Sequence, residues 1–129
     1  MALAVGDAVG NQFEFELNVD PKLVLEWAHG SQPLIVSDDT QMTLYGFEAM
    51  SEIGTSTEDG IIELEFENAY LDWYETQTVP DSSSTFKFGL SKHSSMWSIQ
   101  APGNTCLQAL RNIIHNTRIR NTSMGCGSV

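Results

Sequence analysis

Val36-Ser37-Asp38-Asp39-Thr40-Gln41-Met42 is the stretch on which the reading of this chain turns. A hydroxyl at Ser37 precedes two adjacent carboxylates, and apolar residues then recur with helical spacing at Met42, Tyr45, Ala49 and Ile53. The pattern predicts an acidic helix start, which has two readings. In one, Ser37 or Asp38 caps the helix while the other acid complements the positive end of its dipole, and the spacing alone favours this. In the other, Ser37, Asp38 and Asp39 offer oxygen ligands to a hard cation such as Mg²⁺, because a helix N-terminus fixes carboxylates without a flexible loop. An EF-hand is excluded, since the alternating acids, central Gly and distal Glu of that loop are missing.

Upstream, Met1 to Gly10 is small and apolar with one acid, Asp7, and reads as the end of a buried helix close-packed through Gly6, Ala8 and Gly10. It starts without a cap, as if the natural beginning were missing. Asn11 to Glu16 alternates Phe13 and Phe15 with polar residues and fits either an extended segment or a loop, with Glu14 near Asp7 in sequence. Asp20-Pro21 is an N-cap followed by proline at the first helical position, and Gly30 is placed to end a short helix holding Leu23, Val24 and Trp27.

Downstream, Gly54-Thr55-Ser56-Thr57 is a linker, and a long helix is expected from about Asp59 to Thr76. Ile62, Phe66, Ala69, Tyr70 and Trp73 form its apolar face, while Glu63, Glu65, Glu67, Asp72 and Glu75 read as a solvated face. Val79 to Ser95 is rich in serine and reads as a long loop or broken helix. Pro102-Gly103-Asn104-Thr105 starts another helix, with Leu107, Leu110, Ile113 and Ile114 inward. From Asn116 the chain is polar and closes on Gly125-Cys126-Gly127, a loop suited to close backbone approach. No period-two run of branched residues is long enough for a sheet, so the expected class is all-α, in one domain over 1–129.

With 129 residues, 41% of them hydrophobic, the chain is long enough to bury a core. A formal charge of −11 opposes nucleic-acid backbones and anionic membranes, and the basic residues cluster only modestly at Arg111, Arg118 and Arg120. No apolar run approaches membrane-spanning length and no signal peptide is evident, so a cytoplasmic protein without nucleic-acid or membrane partners is expected. Cys106 and Cys126 are the only cysteines, which excludes a disulfide framework and a repeated CxxC zinc site. His29, His93 and His115 are scattered singly and read as surface or capping residues, and Trp27, Trp73 and Trp97 as core, with Trp97 near enough to Pro102-Gly103 for a pocket role.

Four pieces, in order, resemble the ADP-ribosylglycohydrolase family, typified by the dinitrogenase-reductase-activating glycohydrolase. They are Gly6-Asp7-Ala8-Val9-Gly10 with Glu14, then Ser37-Asp38-Asp39-Thr40-Gln41-Met42, then Pro102-Gly103-Asn104-Thr105 with Ala109-Leu110, and finally Ser123-Met124-Gly125-Cys126-Gly127. The resemblance covers nearly the whole chain but the N-terminal part of the family's catalytic domain, whose later Asp-x-Asp-Thr segment is absent here. It implies an orthogonal multi-helix bundle, truncated on its C-terminal side, with a binuclear Mg²⁺ centre (Mn²⁺ in some members) that cleaves ADP-ribose from a protein side chain or small acceptor.

By position, the resemblance makes Ser37, Asp38 and Asp39 half of the metal shell, with Asp39 also serving catalysis. It makes Glu14 the acid near the reacting ribose and Asp7 the buried acid of the substrate-binding motif. Ser123, Met124, Gly125 and Gly127 match the loop around the pyrophosphate and adenosine. The implied partner is an ADP-ribosylated protein or ADP-ribose derivative, with self-association expected through apolar helix faces left uncovered. The alternatives are a non-catalytic relative that keeps the fold for binding or packing, as jellyfish crystallins resembling the family do, and an inactive gene fragment.

Overall fold

The structure, a computed structural model, describes residues 1–79, 86–117 and 119. Five helices follow in order: α1 (Ala2–Asn11), α2 (Pro21–Ala28), α3 (Asp38–Ile53), α4 (Asp59–Thr78) and α5 (Asn104–Ile114). Two 3₁₀ turns, Leu90–Lys92 and Ser94–Trp97, lie between α4 and α5, and the described residues contain no strand. None of their helices is long and apolar enough to cross a membrane.

Local chemistry sets the starts of α2 and α3 and the end of α3. Asp20 caps α2, accepting from the Lys22 backbone N–H at 2.9 Å with Pro21 at the first position, and Ser37 caps α3, accepting from the Asp39 N–H at 3.2 Å. α3 ends at Gly54, whose φ of +59° is a conformation that costs a side-chain-bearing residue more than glycine.

The core is built on the α3 and α4 pair, the most extensive helix contact among the described residues. Met42, Tyr45 and Ala49 of α3 meet Ala69 and Trp73 of α4, and Phe88, Cys106 and Leu110 close the cluster. The three- and four-residue spacing of these side chains places them on one stripe of each helix, so burial of that stripe holds the pair together. Burying a large apolar side chain of this kind contributes about 1.5–3 kcal/mol.

Several sequence expectations change in the folded chain. In α1, Ala8 is fully buried, but Gly6 and Gly10 are exposed and a Cβ at either would meet nothing within 4 Å. Of the two alternatives for Asn11 to Glu16, the loop is found: after Asn11, the last residue of α1, Gln12 to Phe15 form turns closed by Phe13 N–H to Gly10 O and Glu16 N–H to Phe13 O. Phe13 packs edge-on to Trp27 at 6.3 Å, whereas Phe15 points outward, 88% exposed. Ile114 of α5 is half exposed, and Cys106 takes the inward place together with Leu110.

The acids of α4 are less solvated than their spacing suggests, because the chain after α4 folds back over them. Asp72 accepts the Phe88 N–H at 2.8 Å and Glu65 pairs with Lys87, while Glu48 of α3 accepts the Leu90 N–H with both oxygens at 3.2 Å. A strap with only two short 3₁₀ turns leaves backbone N–H groups in need of partners, and these carboxylates supply them. Burial pushes the Asp72 carboxyl up, with Glu75 and Glu48 adding to the rise against the lowering effect of the Phe88 and Lys87 amides.

The strap is fixed to the core by side-chain hydrogen bonds. The hydroxyls of Tyr45 and Ser91 lie 2.9 Å apart, Trp97 Nε1 donates to Ser91 O at 2.8 Å, and Gln77 Nε2 donates to Met96 O at 3.1 Å. Trp97 stacks edge-on against Phe86 at 5.5 Å, a place in the strap. Gln41, 2% exposed, accepts from Trp73 Nε1 at 3.1 Å and donates to Ser98 O at 3.0 Å. That last bond sets where the chain enters the segment 98–103, which forms one wall of the cavity described next.

Candidate functional site

A cavity of about 520 Å³ opens between the end of α1, the first turn of α3 and the start of α5. Asp7, Asn11 and Glu14 line it from α1 and the turn after it, Ser37, Asp38 and Asp39 from the start of α3, and Ala101, Gly103, Thr105 and Cys106 from the start of α5 and the segment that leads into it. Three stretches far apart in sequence therefore meet here, and they include five of the residues singled out above: Asp7, Glu14, Ser37, Asp38 and Asp39.

Asp7 is bound to the start of α3 by both oxygens. Its Oδ1 accepts the Ser37 hydroxyl at 2.6 Å, and its Oδ2 accepts the Ser37 backbone N–H at 2.8 Å and the Thr40 hydroxyl at 2.5 Å. Burial pushes the Asp7 carboxyl up, but the hydrogen bonds from Ser37 and Thr40 outweigh it and hold the group below the usual aspartate value. These bonds tie α1 to α3 where few apolar contacts do, and Asn11 Nδ2 adds a longer one, 3.4 Å, to Ile35 O.

Asp38 is held from the opposite side. Its backbone N–H donates to Gln100 O at 3.0 Å, and its Oδ2 accepts the Gly103 N–H at 3.1 Å. Between those two contacts Ala101 sits at φ +52°, an uncommon conformation for a residue with a Cβ, directly before Pro102. The bracket around Asp38 is thus closed at the cost of local strain. Burial pushes the Asp38 carboxyl up; the Gly103 bond opposes this, and the neighbouring charges of Asp39 and Asp7 add to the rise. Asp39, the next residue, is exposed where it lines the cavity, and Glu14 lies exposed on the turn after α1.

The capping reading of the Ser37-Asp38-Asp39 stretch is the one the fold displays. Ser37 is the N-cap, and the two acids occupy the first turn, where the helix dipole favours negative charge. The same residues also face a cavity instead of open solvent. Cys106 borders it as well, and burial first, then Asp38 and Asp39, push its thiol up, which suits a packing residue better than a nucleophile.

The donors facing the cavity from Ser37, Asp38 and Asp39 are all oxygens, a set that suits a hard divalent cation and not a soft one. Among the described residues, no three His, Cys, Asp or Glu side chains are grouped so as to hold a metal ion. The donor chemistry therefore fits part of a coordination shell, with water or further residues making up the rest. His29, His93 and His115 are exposed and take no part, the first and last at helix C-caps. Ser123, Met124, Gly125 and Gly127, expected around a nucleotide, lie outside the described residues.

Sequence reasoning did not single out Thr40, although it stands in the quoted stretch, because its partner Asp7 is 33 residues away. Pro102-Gly103 does start a helix, with Gly103 as the N-cap of α5, and the Gly103 N–H is also the donor to Asp38.

The sequence model of the ADP-ribosylglycohydrolase family matches residues 1–129, the full length of the chain. No curated protein and no solved structure matches it.

Proposed function

The chain belongs to the ADP-ribosylglycohydrolase family, and on that premise we propose that it acts on the glycosidic bond joining ADP-ribose to a protein side chain or small acceptor, at the cavity between α1, α3 and α5. The observation that carries the reading is the convergence of Asp7, Glu14, Ser37, Asp38 and Asp39 on that single cavity. A protein kept for packing alone has no use for so many acids around one void, since their mutual repulsion costs stability.

In this reading Ser37, Asp38 and Asp39 hold Mg²⁺, or Mn²⁺ in its place, as half of a two-ion shell. When bound, the ions fix the ribose hydroxyls and activate a water for attack at the anomeric carbon. Asp38 is kept in place by Gln100 and Gly103 before any ligand arrives, so its orientation costs nothing at the moment of binding. Asp39 serves both as ligand and as a base next to the attacking water. Glu14, exposed where it lines the same cavity, stands by the reacting ribose and stabilises the positive charge that develops as the bond breaks. Ser123, Met124, Gly125 and Gly127 are proposed to wrap the pyrophosphate, where backbone amides give an acidic protein local positive potential. The setting is cytoplasmic.

Two carboxylates against the four charges of two divalent ions leave the second ion weakly held. The chain is therefore expected to bind ADP-ribose with Mg²⁺ but to turn over slowly. Titration calorimetry with Mg²⁺ and ADP-ribose on the wild-type chain, Asp38→Ala and Glu14→Gln tests this, together with release of ADP-ribose from a modified protein. Asp38→Ala should lose the Mg²⁺ heat, and Glu14→Gln should keep ADP-ribose binding while losing whatever turnover the wild type has. Equal heats for wild type and Asp38→Ala would remove these residues from the cation site, and undiminished turnover by Glu14→Gln would remove Glu14 from the chemistry.

A further inference from the structure

The Ser37 hydroxyl has one proton to give and two lone pairs to offer. Its proton goes to Asp7 Oδ1 at 2.6 Å, and one lone pair takes the Asp39 N–H at 3.2 Å. One lone pair is left on the hydroxyl oxygen of a residue that lines the cavity together with Asp38 and Asp39. Asp7, meanwhile, spends three acceptor positions on α3 through Ser37 N–H, Ser37 O–H and Thr40 O–H. These contacts place it behind Ser37, as a carboxylate stands behind a ligating side chain and sets its proton and direction.

We propose that Asp7 is a positioning residue that acts through Ser37: by taking the hydroxyl proton it leaves the Ser37 oxygen an acceptor only, ready for the cation that Asp38 and Asp39 bind. This rests on the cation reading above. It also separates the jobs of two acids on the α1 side, since Glu14 faces the ligand whereas Asp7 faces protein. The isosteric amide makes the point chemically. In Asp7→Asn the side-chain carbonyl can still accept from Ser37 N–H and Thr40 O–H, but the –NH₂ must donate to Ser37 Oγ. The hydroxyl proton is then displaced toward the cavity, where it repels a cation.

The test is a Mn²⁺ titration of the full chain, with free Mn²⁺ followed by electron paramagnetic resonance, on wild type, Asp7→Asn, Ser37→Ala, Ser37→Thr and the Asp7→Asn/Ser37→Ala double variant. Asp7→Asn and Ser37→Ala should each weaken binding by about tenfold, the scale expected for a group that orients a ligand. Ser37→Thr, which keeps the hydroxyl, should stay within about twofold of wild type, and the double variant should be no weaker than the worse single one, because both changes remove the same interaction. Wild-type affinity in Asp7→Asn, or losses that multiply in the double variant, would overturn the proposal.

Failure of the cation reading has a different signature, since the wild-type chain then binds no Mn²⁺ at all. Hydrogen exchange of the Asp39 amide in the metal-free chain still reports the positioning role. Faster exchange in Asp7→Ala shows that Asp7 holds the Ser37 side chain, and unchanged exchange shows that it does not, whatever the metal result.

Discussion

Replacing Gln41 by methionine would take away one side chain that connects both long helices to the wall of the cavity. The volume is nearly conserved, so the cost falls on hydrogen bonds and not on packing. Gln41 is 2% exposed and Trp73 is fully buried, so the indole N–H, now 3.1 Å from Gln41 Oε1, would be left without an acceptor. An orphaned buried donor costs about 1–3 kcal/mol. The second bond, from Gln41 Nε2 to Ser98 O at 3.0 Å, ends on an exposed residue whose carbonyl water can reach, and its loss adds about 0.5–1.5 kcal/mol.

Gln41→Met should therefore destabilise the chain by roughly 1.5–4.5 kcal/mol, a melting point lower by roughly 5–18 °C for a chain of this size. Thermal unfolding followed by circular dichroism reads it, and a double-variant cycle with Trp73→Phe identifies the cause. Phenylalanine has no N–H to orphan, so Gln41→Met should cost at least ~1 kcal/mol less in that background. If it costs the same in both, or less than ~0.5 kcal/mol in the wild type, the bond to Trp73 does not hold the core as described.

The phenol of Tyr45 gives a pH prediction. Burial pushes its pKa up from 10.0 to about 12, the Ser91 and Thr76 hydrogen bonds oppose the rise, and Asp72 and Glu48 add to it. A raised folded value means that the neutral phenol stabilises the fold fully below pH ~10, and that this contribution, roughly 2–3 kcal/mol, is lost as pH climbs from ~10 to ~12. Tyr45→Phe should lose stability at neutral pH, where it leaves Ser91 Oγ without its partner, yet show a flatter alkaline decline; an equally steep decline would exclude Tyr45 as its source. On the surface, Phe47, Met50 and Leu64 are 61%, 56% and 54% exposed, so the chain is expected to bind a hydrophobic dye or to self-associate. Phe47→Glu with Met50→Glu should reduce both, as read by dye fluorescence and light scattering, and a wild-type monomer that ignores the dye would refute this.

The helices were legible in the chain because the signals that make them are local. Ser37 and Asp20 announce their caps, Pro21 and Gly54 mark a beginning and an end, and the spacing of Met42, Tyr45 and Ala49 is a property of one helix turn repeated. The long helix expected from Asp59 to Thr76 runs to Thr78, an end that no breaker residue marks before Pro80. Candidate site residues were named from motif positions, and Asp7, Glu14, Ser37, Asp38 and Asp39 do line one cavity.

What each of them touches was not legible, because hydrogen bonds across 30 or 65 residues leave no periodic trace. Tertiary structure alone decided that Asp7 spends its oxygens on Ser37 and Thr40, and that Gly103 gives its amide to Asp38. It also decided that the acids Asp72 and Glu65 hold the strap after α4 instead of facing water. In each case a buried or half-buried polar group must find a partner where water is excluded, and which partner is within reach is fixed by how the helices pack, not by the order of residues along any one of them.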